Sequence, residues 1–150
     1  MTYSKNLVNL PLFFAIFTVS IFFHFRSPNI LDSDSFYHFR HASIYQKEGV
    51  LTTEFPWIPY SIINRFASDI WYGFHLLLIP FTAIPNEIIG IKVAGVFLTA
   101  TLLMLFSFAL RRLGAPLFAF FIAPFFFAAP NVLSHFVMTR PHLLSTGLAA

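Results

Sequence analysis

Apolar residues run almost unbroken over Leu7 to Phe25, Ile88 to Leu110 and Pro116 to about Val132, and another run opens at Leu143. A helix that crosses a bilayer core needs about 20 predominantly apolar residues. The pattern therefore predicts an all-α integral membrane protein with spans at about 7–25, 88–110, 116–132 and 143 onward. The third run is short and carries Pro124 and Pro130, and the fourth is cut at Ala150. The chain thus reads as the N-terminal part of one longer, multi-pass domain, truncated within a span. A signal peptide is the alternative for the first run, but that run is longer than the usual signal core and lacks a small-x-small cleavage site.

Between the first two spans lies a loop over about 26–87, interrupted by a shorter apolar stretch from Ile70 to Ile84 that contains His75 and Pro80. Stretches of that length favour a re-entrant or interfacial helix over a crossing. The loop after Phe25 and the loop from His135 to His142 then fall on one side of the membrane, with Arg111 and Arg112 on the other. The charge bias between loops leaves the orientation open, because the large loop itself holds Arg26, Arg40, Lys47 and Arg65.

Composition agrees with the hydrophobic pattern. The chain is 57% hydrophobic and 10% charged, against about 25% charged in ordinary soluble domains. Its formal charge is +3, yet all six carboxylates lie between Asp32 and Glu87. Lys and Arg are not clustered as phosphate backbones require, so nucleic acid is excluded as a partner. No cysteine is present, which removes thiolate nucleophiles, disulfides and Cys-based zinc sites from this segment.

The polar chemistry is concentrated in DSDSFYHFRHA, Asp32 to Ala42. Asp and Ser in that tract suit helix N-caps, and an amphipathic helix is predicted from Ser35 to Glu48. At about 100° per residue, Asp34, His38, His41, Tyr45 and Glu48 share one face, with Phe36, Phe39 and Ser43 opposite. The apolar side is expected to lie on the membrane or the bundle, and the polar side to face the space that the loop encloses. Two readings follow. In the first, Asp32 or Asp34 merely caps a surface helix and the histidines are solvated. In the second, a carboxylate at the interface is a general base or divalent-metal ligand, oriented by His38 or with His38 holding an anionic group.

Taken together, DSDSFYHFRHASIYQKEGVL, FASDIWYGFHLLLIPF and FVMTRPHLLSTGLAA resemble the membrane glycosyltransferases of the C superfamily. DSFYHFR is similar to the first-loop signature of the oligosaccharyltransferase catalytic subunit. The order of all three segments looks closer to bacterial members whose substrates are mostly unassigned. The resemblance implies a helical bundle with a long extracytoplasmic first loop containing interfacial helices. It also implies transfer of a sugar from a polyprenyl-phosphate-linked donor in the bilayer to an extracytoplasmic acceptor, in the cell membrane, by an enzyme of which this segment alone is expected to be inactive. Asp34 is then the catalytic carboxylate and the candidate ligand of a divalent cation, Mg or Mn. Arg140, His142, His38, Asp32 and Asp69 are candidate substrate-binding residues.

One departure from the oligosaccharyltransferase pattern stands out: Thr139, Arg140, Pro141 and His142 occupy the place of a second acidic cluster. That argues against a two-carboxylate metal site and gives Arg140 and His142 to the lipid phosphate, which guanidinium can bind with two parallel hydrogen bonds. The rival from another class is a transporter or flippase component. Such proteins place ionisable groups within spans, whereas here, apart from Lys92, they lie in loops and at interfaces. A third reading is another outer-face transferase, moving an acyl or phosphoethanolamine group.

Overall fold

The computed structural model describes residues 9–52, 58–61, 65–66, 68–115, 121, 128 and 138–142. Among these residues there are four helices and no strands: α1 (Asn9–Phe25), α2 (Ser33–Glu48), α3 (Tyr72–Thr82) and α4 (Glu87–Arg112). The expected spans at 116–132 and from 143 onward fall almost wholly outside the described residues.

At 1.5 Å per residue, α4 is about 39 Å long and α3 about 17 Å, against a hydrocarbon core of about 30 Å. Among the described residues α4 is the helix long and apolar enough to cross a membrane, while α1 and α3 are shorter apolar helices. The stretch from Ile70 to Ile84 is thus too short to span. Its ends explain why: Asp69 turns the chain at one end, and at the other Thr82 Oγ1 donates to the Ile79 carbonyl, two residues beyond Pro80.

The sequence marks the helix limits clearly. Asp32, with extended backbone, accepts hydrogen bonds from the amides of Asp34 and Ser35 and caps α2. The helix stops at Gly49, whose φ of 102° is costly for a residue with a Cβ. Asn86 caps α4 through the Ile89 amide. Glu87 in the first turn of α4 and Arg111 and Arg112 in the last oppose its dipole.

Helices α1 and α4 run antiparallel, because Leu12 and Ile16 meet Ala100, Leu102 and Leu103 while His24, near the other end of α1, meets Gly95 and Thr99. The contact depends on Gly95: a Cβ there would stand 2.6 Å from His24 Nδ1 and 2.9 Å from Thr139 Oγ1. His24 is buried and bonded to Thr99. Lys92 is also buried, and donates to the carbonyls of Ser27 and Pro28 where the chain leaves α1.

Helix α2 lies on α3 and touches α4, with Ala42, Phe74, Leu78 and Ala94 forming their shared core. Here the structure corrects the predicted facing of α2. The face that carries His38, His41 and Tyr45 is buried against α3 and does not line an open space. Phe39 is buried too, next to Gly90 of α4, and Phe36 is left exposed. Burying His38 is tolerable because His75 on α3 partners its Nδ1, and His75 in turn is held by Asp69.

Candidate functional site

Two polar clusters occupy the described loop region. The first is at the N-terminus of α2. Asp32 is 7% exposed, and its Oδ2 accepts from Ser35 Oγ at 2.9 Å and from Arg140 Nε at 3.0 Å. A terminal guanidinium nitrogen of Arg140 bonds Asp32 Oδ1 and lies 3.2 Å from Asp34 Oδ2. The neighbouring residue secures the approach of this segment: the Thr139 amide donates to Ser35 Oγ and the Thr139 hydroxyl to the Ile91 carbonyl. Residues 138–142 are thereby fastened to both α2 and α4.

Burial pushes the Asp32 carboxyl up, but hydrogen bonds from Arg140, Ser35 and the Asp34 amide, with the Arg140 charge, outweigh it and hold the pKa at about 2. Arg140 is correspondingly pushed up, chiefly by its hydrogen bond to Asp32. Asp34 differs in kind, since its side chain is 55% exposed. Of the two acids, Asp32 holds α2 and Arg140 in place and Asp34 faces solvent. His142, half-buried, lies in the helical turn that opens directly after Arg140.

The second cluster is buried between α2 and α3. Asp69 turns back on the chain to accept the Trp71 amide through Oδ1 at 2.9 Å, which leaves Oδ2 for Tyr45 Oη at 2.9 Å and His75 Nδ1 at 2.6 Å. His75 Nε2 is 2.8 Å from His38 Nδ1. His41 stacks on His75, with centroids 4.3 Å apart and planes at 12°, and its Nε2 lies 3.7 Å from Asp69 Oδ2.

Burial pushes both His38 and His41 down to about 4, helped by the neighbouring His75; Asp69 pulls the other way on both, and Asp32 does so on His38. Both are neutral at pH 7. Burial pushes Asp69 up, but its bonds from His75, the Trp71 amide and Tyr45 win and hold it below the usual carboxylate range. Tyr45 is pushed well up by burial and by its bond to Asp69, and Tyr37 is pushed up to about 12, chiefly by burial.

His41, Asp69 and His75 form the one set of three metal-donor side chains among the described residues, with ligand atoms within 4.8 Å of one another. Asp34 does not belong to it. Two ligands about 2.0 Å from a tetrahedral ion stand about 3.3 Å apart, wider than the 2.6 Å between His75 Nδ1 and Asp69 Oδ2. Asp69 and His75 are held together by a direct hydrogen bond, and the set does not fit an ion as it stands.

Of the residues singled out in the sequence, Asp32, Asp34 and Arg140 come together in the first cluster, and His38 and Asp69 are joined in the second through His75. Sequence reasoning did not select His75, Tyr45, Ser35 or Thr139. A signal existed for His75: an ionisable residue inside an apolar run is costly unless partnered, and so points to a partner. Ser35 and Thr139 act through hydrogen bonds that join segments far apart in the chain, and no local pattern announces such a pair.

Compared with protein-family models, curated proteins and solved structures, the chain gives no match in any of the three. Fold and sites together define a class only: an all-α chain, in its described residues, with one helix long enough to cross a bilayer and a charged cluster at the start of a shorter helix.

Proposed function

We propose that this chain is a multi-pass membrane protein and, within that class, a glycosyltransferase of the C superfamily acting at the extracytoplasmic face. Exposed Leu10, Phe13, Phe14, Phe22, Phe97, Leu105 and Phe108 on the paired α1 and α4 support the membrane assignment, since soluble monomers rarely expose apolar surface so continuously. The contact of residues 138–142 with the start of α2 supports placing those two segments on one side.

The observation that carries the functional reading is the seating of Arg140 between Asp32 and Asp34. A solvent-exposed carboxylate and a guanidinium 3.2 Å apart supply the two charges that glycosyl transfer from a phosphate donor requires. Asp34 takes the proton of the acceptor hydroxyl as its oxygen attacks the anomeric carbon, and the bond from that carbon to the donor phosphate breaks. The electron pair leaves with the phosphate, whose growing charge Arg140 stabilises. Nε and one terminal nitrogen of Arg140 are engaged with the acids, which leaves the N–H groups of the other for a phosphate oxygen. The guanidinium already balances part of the negative charge on Asp34, which leaves less of it to attract Mg or Mn. A polyprenyl-linked donor would reach the site from the bilayer, with His142 at its edge.

The transporter reading draws on buried ionisable groups within apolar helices; His24 and Lys92 are such groups, but they sit at the ends of α1 and α4 next to the 26–87 loop, while His38, His41 and His75 lie between α2 and α3. Asp34→Asn tests the enzyme. The cap of α2 belongs to Asp32, so the substitution leaves folding intact; transfer of radiolabelled sugar from polyprenyl-phosphate donors should fall by about 100-fold or more. Near-normal transfer in a folded Asp34→Asn protein would reject the assignment.

A further inference from the structure

We infer that Asp69, His75 and His38 form a hydrogen-bond relay of fixed direction, which keeps Nε2 of His38 unprotonated and makes that atom an acceptor for a hydroxyl group. The direction follows from the donor inventory. A carboxylate only accepts, so His75 must donate from Nδ1 to Asp69 Oδ2 across 2.6 Å. With His75 as the neutral imidazole, its one N–H is spent on Asp69, so Nε2 is an acceptor and the 2.8 Å contact makes His38 the donor through Nδ1. The remaining nitrogen of His38 then carries a lone pair. Both rings are held with the proton on Nδ1.

The surroundings hold this order in place. Tyr45 and the Trp71 amide donate to Asp69 and keep it ionised in a buried site. The His38 ring is fixed edge-on to Trp71 and Phe74, with centroids 5.2 Å away in each case, so it cannot turn to exchange its nitrogens without displacing them. His38 is one helical turn after Asp34 on α2, on the same face. A neutral acceptor there suits a hydroxyl and not a phosphate, in contrast to the anion-binding role that the sequence suggested for His38. That the hydroxyl belongs to a sugar or an acceptor rests on the glycosyltransferase reading; the relay itself does not.

The test is the tautomer state of the histidines at pH 7, read from two-bond nitrogen–proton couplings in the ¹⁵N-histidine-labelled chain in lipid nanodiscs, with signals assigned from His38→Asn and His75→Asn. Protonated Nδ1 and bare Nε2 are expected for both His38 and His75. Asp69→Asn should reverse the whole relay. Its oxygen must stay on the Trp71 amide, so its NH₂ takes the place of Oδ2 and donates to His75 Nδ1, which moves the proton to Nε2 on His75 and then on His38. Tyr45→Phe, which leaves the carboxylate in place, should change neither tautomer. Titration with methyl glucoside should shift the His38 Nε2 resonance saturably, whereas inorganic phosphate should not. A wild-type His38 protonated on Nε2 overturns the relay, whether or not Asp69→Asn folds. A His38 that answers phosphate and not the glucoside overturns the hydroxyl site. Neither result bears on whether Asp34 is the catalytic base.

Discussion

Replacing Asp32 separates two contributions that the structure assigns to one carboxylate. It caps α2 through two backbone amides, and it holds Arg140 through both oxygens. Losing a cap costs about 1 kcal/mol. A carboxyl lowered from 3.8 to about 2 corresponds to roughly 2 kcal/mol at neutral pH. The Arg140 side chain is 33% exposed, and solvent screening there reduces the second figure to about 1–2 kcal/mol.

Asp32→Asn, which retains capping, should therefore lose about 1–2 kcal/mol, and Asp32→Ala about 2–3 kcal/mol. At about 2–4 °C per kcal/mol for a chain of this size, Asp32→Ala melts roughly 4–12 °C lower. The sign with pH is fixed by the depressed pKa. The ionised group stabilises the fold fully above the unfolded value of 3.8, and this stabilisation is lost as pH falls through about 2. Thermal melts followed by tryptophan fluorescence in detergent, from pH 7 down to 2, should show wild type and Asp32→Ala converging below about pH 4. Equal melting temperatures at pH 7, or a gap that persists unchanged at pH 2, would refute the reasoning.

Three further outcomes are expected. Cysteines placed singly at Glu48 and Leu113, both exposed, should react with an impermeant thiol reagent from opposite sides of intact membranes, and labelling from the same side would break the proposed topology. Gly95→Ala drives a Cβ against His24 and Thr139, so it should cost about 1–3 kcal/mol of stability, whereas an unchanged melting temperature would mean that α1 and α4 do not approach as described. Arg140→Lys keeps a charge but loses the planar fork; assayed at saturating donor, sugar transfer should fall about tenfold, or roughly 1.4 kcal/mol, and full activity would leave Arg140 an anchor for Asp32 only.

Several elements could be read directly from the sequence because their causes are local. An apolar run from Ile88 to Leu110, opened by Asn86 and Glu87 and closed by Arg111 and Arg112, specifies α4 with little help from the rest of the chain. The DSDS tract likewise announces a helix start, and Pro80 with a short apolar run announces a helix too short to span. What the sequence could not decide is which acid caps and which is exposed, because Asp32 and Asp34 are both competent caps and one of the groups that hold Asp32, Arg140, lies 108 residues away. The same limit turned the face of α2. Helical periodicity groups His38, His41 and Tyr45 and marks them as polar, but their burial depends on Asp69 and His75 arriving from another segment to pair with them. Polarity is a property of a residue and can be read in the chain; satisfaction of that polarity is a property of a pair, and only tertiary structure supplies the partner.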